Sequence, residues 1–250
     1  MRLQLLSDLH FEFHPDHGRS FVERLDPMGV DVLVVAGDLD AADRLPQSLA
    51  LLCERYRDAM VVYVLGNHEF YGSSPVEVSE RMKFVQLAND NLVWLDCSAI
   101  SAIQVMKIGE RKRILGATLW FPRDDSNLQA KVCLTDFWAI EGFEPWVYEQ
   151  NRKAVDYLKK ELRPGDIVVT HHLPSPPCVA PQHRGSPLNP YFVCNMSDLI
   201  LERQPSLWLF GHTHSSVDIQ IGKTRLLCNP FGYADYEANP LFSNRLIIEV

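Results

Sequence analysis

Five short runs of apolar residues lie along the chain, and each ends abruptly on a polar cluster. Residues 1–6 lead into Ser7-Asp8-Leu9-His10, and 30–36 into Gly37-Asp38-Leu39-Asp40. Residues 60–65 lead into Gly66-Asn67-His68-Glu69, 166–170 into His171-His172, and 207–210 into Gly211-His212-Thr213-His214. Apart from the first, which leans apolar but carries Arg2 and Gln4, the runs are rich in β-branched and aromatic side chains, which predicts central strands covered on both faces. Stretches 44–58 and 147–162 read as helices between them, so crossover connections and largely parallel neighbours are expected. Parallel strands bring their C-terminal ends to one edge of the sheet, where open α/β sheets hold ligands. Strand alternation also predicts that Asp8 and His10 point at one object, because residues i and i+2 share a face.

Length and composition narrow this picture without changing it. The 250 residues show no internal repeat, low-complexity segment or linker, so a single domain over 1–250 is expected. No apolar run approaches the roughly 18 residues of a membrane-spanning helix. Asp8 interrupts the N-terminus before a signal peptide's apolar region can form. The six cysteines are scattered with no Cys-x-x-Cys pair, which argues against a disulfide scaffold or zinc knuckle and predicts a cytoplasmic protein. A net charge of −8 argues against a nucleic-acid groove built on bulk charge. The basic cluster Arg111-Lys112-Arg113 follows Gly109-Glu110 between two strand-like runs and reads as a solvated hairpin tip.

Candidate chemistry concentrates at the predicted strand ends. Six of the nine histidines fall there: His10, His68, His171, His172, His212 and His214. Together with Asp8, Asp38 and Asn67 they form a thiolate-free donor set too rich for one tetrahedral metal. It contains too much imidazole for calcium or magnesium, which prefer oxygen, and suits Mn, Fe, Zn, Co or Ni. Seven or so donors fit two metals ~3.5–4 Å apart that share a carboxylate and a bridging water. Such a pair acidifies water and clamps the oxygens of an in-line displacement, as phosphate-ester hydrolysis requires. Gly37, Gly66 and Gly211 each precede a candidate ligand, where a sharp turn and close backbone approach are needed.

The ordered blocks Asp8-Leu9-His10, Gly37-Asp38-Leu39-Asp40, Gly66-Asn67-His68-Glu69, His171-His172 and Gly211-His212-Thr213-His214 resemble the signature of the calcineurin-like metallophosphoesterase superfamily. The resemblance implies a four-layer α/β/β/α sandwich with mixed, largely parallel central strands and a dinuclear metal site. One metal ion would be held by Asp8, His10 and His214, the other by Asn67, His171 and His212, with Asp38 bridging. The ions would be divalent or trivalent Mn, Fe or Zn. A bridging hydroxide would attack phosphorus in line while His68 assists the leaving group. His172, Asp40 and Glu69 would support the ligands or orient His68. The substrate implied is a small phosphorylated molecule, a nucleotide or aryl phosphoester among the candidates. Two other readings stand beside this one. Nuclease action within the same superfamily is disfavoured by the acidic charge, and a non-catalytic metal-binding scaffold by the presence of His68 and every expected ligand.

Two regions depart from the minimal pattern. Cys228-Asn229-Pro230-Phe231-Gly232-Tyr233 keeps an Asn-Pro turn found in relatives but has Phe231 where many carry glycine. Residues 120–148 hold seven aromatics, and 174–192 are proline-rich with His183 and Arg184. These segments predict either a packed aromatic cluster beneath a long loop or a substrate rim using Trp138, His183 and Arg184. His14 and His17 read as solvated loop residues.

Overall fold

The computed structural model describes residues 1–101, 112–125 and 128–250. Two mixed sheets dominate it. The first contains β1 (Arg2–Leu6), β2 (Val32–Ala36), β3 (Met60–Val64), β4 (Leu92–Trp94) and β13 (Ile247–Glu249), in the order β13-β1-β2-β3-β4. The second contains β5 (Ser98–Ser101), β6 (Arg113–Ala117), β7 (Ile167–Thr170), β8 (Leu207–Phe210), β9 (Val217–Ile221) and β10 (Thr224–Cys228), ordered β5-β6-β7-β8-β10-β9. β1 to β4 pair in parallel, as do β6, β7, β8 and β10, while β13, β5 and β9 add antiparallel edges.

The unbroken apolar runs follow from two-sided burial. Leu3, Leu5, Val32, Val34, Val62 and Val64 of the first sheet share a core with Ile167, Val169, Leu207 and Leu209 of the second. Residues between them turn outward. Leu33, Val35, Val61 and Tyr63 pack with Leu45, Leu49, Val78 and Met82 of the helices Leu45–Arg55 and Pro75–Ala88. Val168, Trp208 and Phe210 pack with Ala154, Leu158 and Ile200 of the helices Phe143–Glu161 and Ser197–Arg203. The layers therefore run helix, sheet, sheet, helix. Because side chains alternate along a strand, each central strand feeds two cores, and the buried Gln4 of β1 is satisfied by the Tyr56 hydroxyl and the Asn244 carbonyl.

The predicted helices appear at Leu45–Arg55 and Phe143–Glu161. The helix Pro75–Ala88 begins with a capping box in which Ser74 and Glu77 satisfy each other's backbone N–H. The basic cluster needs a correction. Arg111 lies outside the described residues, but Arg113 is the first residue of β6 and its guanidinium grips Asp166 at 2.6 Å and 3.0 Å. An ion pair spanning neighbouring strands has replaced the expected solvated tip for that residue.

The aromatic segment divides as well. Trp120 and Phe121 are fully buried, and Phe137, Phe143, Trp146 and Tyr148 pack in the same cluster. It is interior packing, so the packed-cluster alternative describes most of residues 120–148.

Candidate metal centre

All five polar clusters meet at one end of the sandwich, but they come from both sheets. β1, β2 and β3 deliver Asp8, His10, Asp38 and Asn67, while β7 and β8 deliver His171, His212 and His214. Strand alternation does not aim them, contrary to the i, i+2 expectation for Asp8 and His10. β1 stops at Leu6, and Asp8 and His10 have φ of 51° and 48°. Asp38, His212 and His214 also lie in the left-handed region, at 54°, 70° and 48°. Non-glycine residues there are uncommon, and such strain collects at functional sites. A left-handed residue reverses the backbone just past the strand and turns the next side chains back over its end.

A third cluster, His10, Glu12 and His68, adjoins two donor groups that share Asp38. Asp8, His10, Asp38 and His214 form one, and Asp38, His171 and His212 the other; within each, the ligand atoms lie within 4.8 Å of one another. Asp38 belongs to both. Asn67 joins the second through Oδ1, 3.0 Å from His171 Nε2. His10 Nε2 stands 3.0 Å from His214 Nε2, and His171 Nε2 stands 3.1 Å from His212 Nδ1. Bare imidazole nitrogens about 3 Å apart have the spacing of neighbouring ligands when each is about 2.0–2.1 Å from one transition metal. Asp8 Oδ2 is buried with no hydrogen-bond partner, an acceptor left open for a cation. The residues present therefore fit two metal ions.

The ring faces away from the donors are also controlled. His171 Nδ1–H donates to the Ala36 carbonyl at 2.9 Å, and His10 Nδ1–H to Glu12 Oε1 at 3.2 Å, which leaves Nε2 bare on both. Asp8 Oδ1 accepts the His212 N–H at 2.8 Å, and Asp38 Oδ1 accepts the His68 N–H at 2.9 Å. Burial pushes the Asp38 carboxyl up, but the facing His171 and His68 imidazoles outweigh it and hold Asp38 well below the usual carboxylate range.

The expected supporting residues act differently from one another. Glu69 accepts from the backbone N–H of Leu39, Gly66 and Asp38 and from the Tyr63 hydroxyl. It ties the loop after β2 to the loop after β3. Asp40 accepts from Ser48 at 2.5 Å and from the Ala41 N–H at 2.8 Å; it braces the helix Leu45–Arg55. Neither carboxylate bonds the His68 ring. His172 packs its ring 4.2 Å from His212 and 4.9 Å from Trp120, with both ring nitrogens unpartnered.

Residues the sequence reading passed over complete the surroundings. Glu12 Oε1 accepts from His68 Nδ1–H at 2.7 Å as well as from His10. Burial disfavours the charged His68 ring, but Asp38 and Glu12 more than offset this and raise it to about 9. Asp136 accepts from the Asn67 amide at 3.0 Å and from Tyr71 at 2.6 Å, which fixes the Asn67 carbonyl toward His171. Tyr233 brings its hydroxyl 3.4 Å from His68 Nε2. Nearness in sequence to His10 is the signal that could have pointed to Glu12; Asp136 and Tyr233 come from distant segments that no local pattern links to the site.

A cleft of about 350 Å³ opens over the donors between His183, Leu188, Tyr191 and Phe192 on one side and Tyr233 and Glu237 on the other. Among the rim candidates, only His183 lines it. Trp138 is 72% exposed away from the lining, and Arg184 borders a separate depression with Pro176 and Pro190. Tyr233 is delivered by the loop carrying Phe231. There Asn229 donates to the Leu5 and Ser243 carbonyls, and Phe231 packs on Phe21 and Phe242.

Fold and donor chemistry together define a metallophosphoesterase. The calcineurin-like phosphoesterase family model matches residues 1–216, and the chain belongs to that family. Uncharacterized protein L509 of Acanthamoeba polyphaga mimivirus is 23% identical over 281 residues, covering 95% of this chain and 93% of that protein. Phosphopantetheinyl hydrolase (PptH) from Mycobacterium tuberculosis has a similar fold, with a TM-score of 0.70 at 21% identity over 92% of this chain and 89% of that one. GAP50, described as the anchor in the inner membrane complex of Plasmodium, matches with a TM-score of 0.53 at 15% identity, over 97% and 75% of the two chains. At these identities the likeness to solved structures is one of fold.

Proposed function

We propose that the chain hydrolyses phosphoesters of small molecules with two transition-metal ions, Mn, Fe or Zn. Asp8, His10 and His214 would hold one ion, Asn67, His171 and His212 the other, and Asp38 would serve both. When bound, the ions withdraw charge from the phosphate oxygens and supply a nucleophilic water at neutral pH. The protein's own residues do the rest. Glu12 and Asp38 keep the His68 ring protonated, Nδ1–H is committed to Glu12, and Nε2 is left to give a proton to the departing oxygen. Glu69 holds the Asp38 and Gly66 loops in register, and Asp136 keeps the Asn67 amide from flipping.

The observation that carries this reading is the position of Asp38. It stands in both donor groups and accepts the backbone N–H of His68, so acid and ion site are joined through one carboxylate. GAP50, an anchor by its description, has the same fold, so fold alone does not argue for catalysis; the joined donors and acid do.

The test is metal-stripped protein assayed on p-nitrophenyl phosphate and bis-p-nitrophenyl phosphate with Mn²⁺ restored, beside Asp38→Asn. Turnover that returns with the metal and is lost in the variant, together with weakened binding of both ions, is expected. A variant retaining two tightly bound ions would contradict the role given to Asp38, and no turnover of either ester would overturn the hydrolytic reading.

A further inference from the structure

We propose that the cleft selects phosphodiesters, monoanions with a second uncharged organic arm, over terminal phosphomonoesters. The proposal rests on the phosphoesterase reading above and concerns what lies beside the donors.

Apolar side chains form one part of the cleft lining beside the donors, with Thr135, Ser186, Asn189 and Thr213 among the polar remainder. Phe192 sets its ring 4.4 Å from His212, and Leu134, Val179, Leu188 and Tyr191 continue the surface. Among the described lining residues the basic side chains are imidazoles. The formally charged residues beyond the ligand Asp38 are carboxylates, Asp136 at the base and Glu237 at the mouth. Lys131 pairs with Glu144 at 2.7 Å and Arg123 with Asp125 at 2.7 Å, and Arg184 lines the separate depression rather than the cleft.

A monoester at neutral pH spreads two charges over three non-bridging oxygens. A diester spreads one charge over two, and an organic group takes the place of the third. The donor groups, once loaded, neutralise the charge that faces them in either case. The third oxygen of a monoester would then press on Phe192, Leu188 and the field of Glu237, without the guanidinium or ammonium that usually receives a phosphate. An anionic oxygen set against apolar side chains and a carboxylate is disfavoured relative to one in water. An organic arm in that place gains by leaving water. The same wall therefore opposes one class and attracts the other.

The reaction balances as a single hydrolysis. The oxygen of water bonds phosphorus and the P–O bond to one arm breaks. That arm leaves as an alcohol with the proton from His68 Nε2, and the attacking water gives up the proton that restores His68. The product is a monoester still carrying the other arm. Once doubly ionised it belongs to the disfavoured class, so it leaves and hydrolysis stops after one ester bond.

The test compares two ligands without a hydrolysable ester, titrated calorimetrically into metal-loaded protein. Diphenylphosphinate is a monoanion with two aryl arms, and phenylphosphonate a dianion with one. Diphenylphosphinate should bind at least 10-fold more tightly; equal or weaker binding overturns the proposal. In turnover, bis-p-nitrophenyl phosphate should exceed p-nitrophenyl phosphate at least 10-fold in kcat/KM, and Glu237→Lys should narrow that ratio about 3-fold. Leu188→Ala should raise KM for the diester and lower it for the monoester, so that the ratio narrows. A preference for the monoester overturns the selectivity and leaves the phosphoesterase reading standing. Absence of turnover on both esters overturns that reading, while the binding ratio decides the preference of the cleft separately.

Discussion

Glu12 is the residue whose importance is largest relative to its visibility. One carboxylate oxygen receives Nδ1–H from both His10 and His68, so it sets the tautomer of a metal-donor imidazole and of the proposed acid together. Glu12→Gln should lower kcat about 10-fold for alkyl esters, in the range typical of lost partners to metal-site histidines. The loss should be smaller for nitrophenyl esters, whose leaving groups need little protonation; equal losses would show that Glu12 does not act through His68. The pair also predicts a pH window in metal-free protein. Burial pushes Glu12 up, but its bonds to His10 and His68 prevail and lower it from 4.5 to about 2. Its contribution to stability is present above pH 4.5 and is lost as pH falls through 2. His68 is raised from 6.5 to about 9, so its contribution is present below pH 6.5 and is lost as pH rises through 9. The difference in Tm between wild type and Glu12→Gln should be greatest between pH 4.5 and 6.5, and a difference independent of pH would refute the linkage.

At the scale of elements, the strand ends do more than terminate strands. Five of the seven donors take left-handed backbone at these turns. The glycines beside them make room for close packing. A Cβ on Gly66, where the backbone is not left-handed, would lie 2.2 Å from Asp38 Oδ1 and 2.7 Å from the Asp38 backbone nitrogen. Neither atom belongs to a flexible chain end, so the loop holding Asp38 must move. Gly66→Ala should therefore destabilise the fold by about 1–3 kcal/mol and weaken binding of both ions. Calorimetric metal titration alongside thermal unfolding would check this, and unchanged affinity at both sites would show that the close approach is dispensable. Glycine before three of the candidate ligands, Asp38, Asn67 and His212, was readable in the sequence. Which glycine answers to backbone sterics and which to crowding was not, because that depends on the neighbouring loop.

The whole molecule acts as a clamp of two sheets. Asp8, His10, Asp38 and Asn67 hang from one and His171, His212 and His214 from the other, so donor spacing depends on the core between them. Leu209 is fully buried in that core, in the strand that leads to His212. Leu209→Ala should lower unfolding stability by about 2–5 kcal/mol. It should also reduce metal affinity although residue 209 is not itself a donor. Denaturant unfolding with and without metal would measure both, and unaltered affinity would mean that the loops hold their geometry independently of the sheets.

The sequence by itself determined the five strands that end on the donor blocks, the order of those blocks, the family they resemble and the kind of metal the donors suit. Those are local facts: apolar runs bury on both faces, and a side chain's donor chemistry does not depend on the fold. Tertiary structure decided which residues surround the donors. Glu12 reaches His68 across a sequence separation of 56 residues, Asp136 reaches Asn67 across 69, and Tyr233 reaches His68 across 165. It also decided that most of the aromatics of 120–148 fill the interior while Trp138 faces solvent, and that Leu188 and Phe192 line the cleft. Apolar composition is the same for a core and for a binding wall. Only the packing of distant segments determines which of the two a given ring becomes.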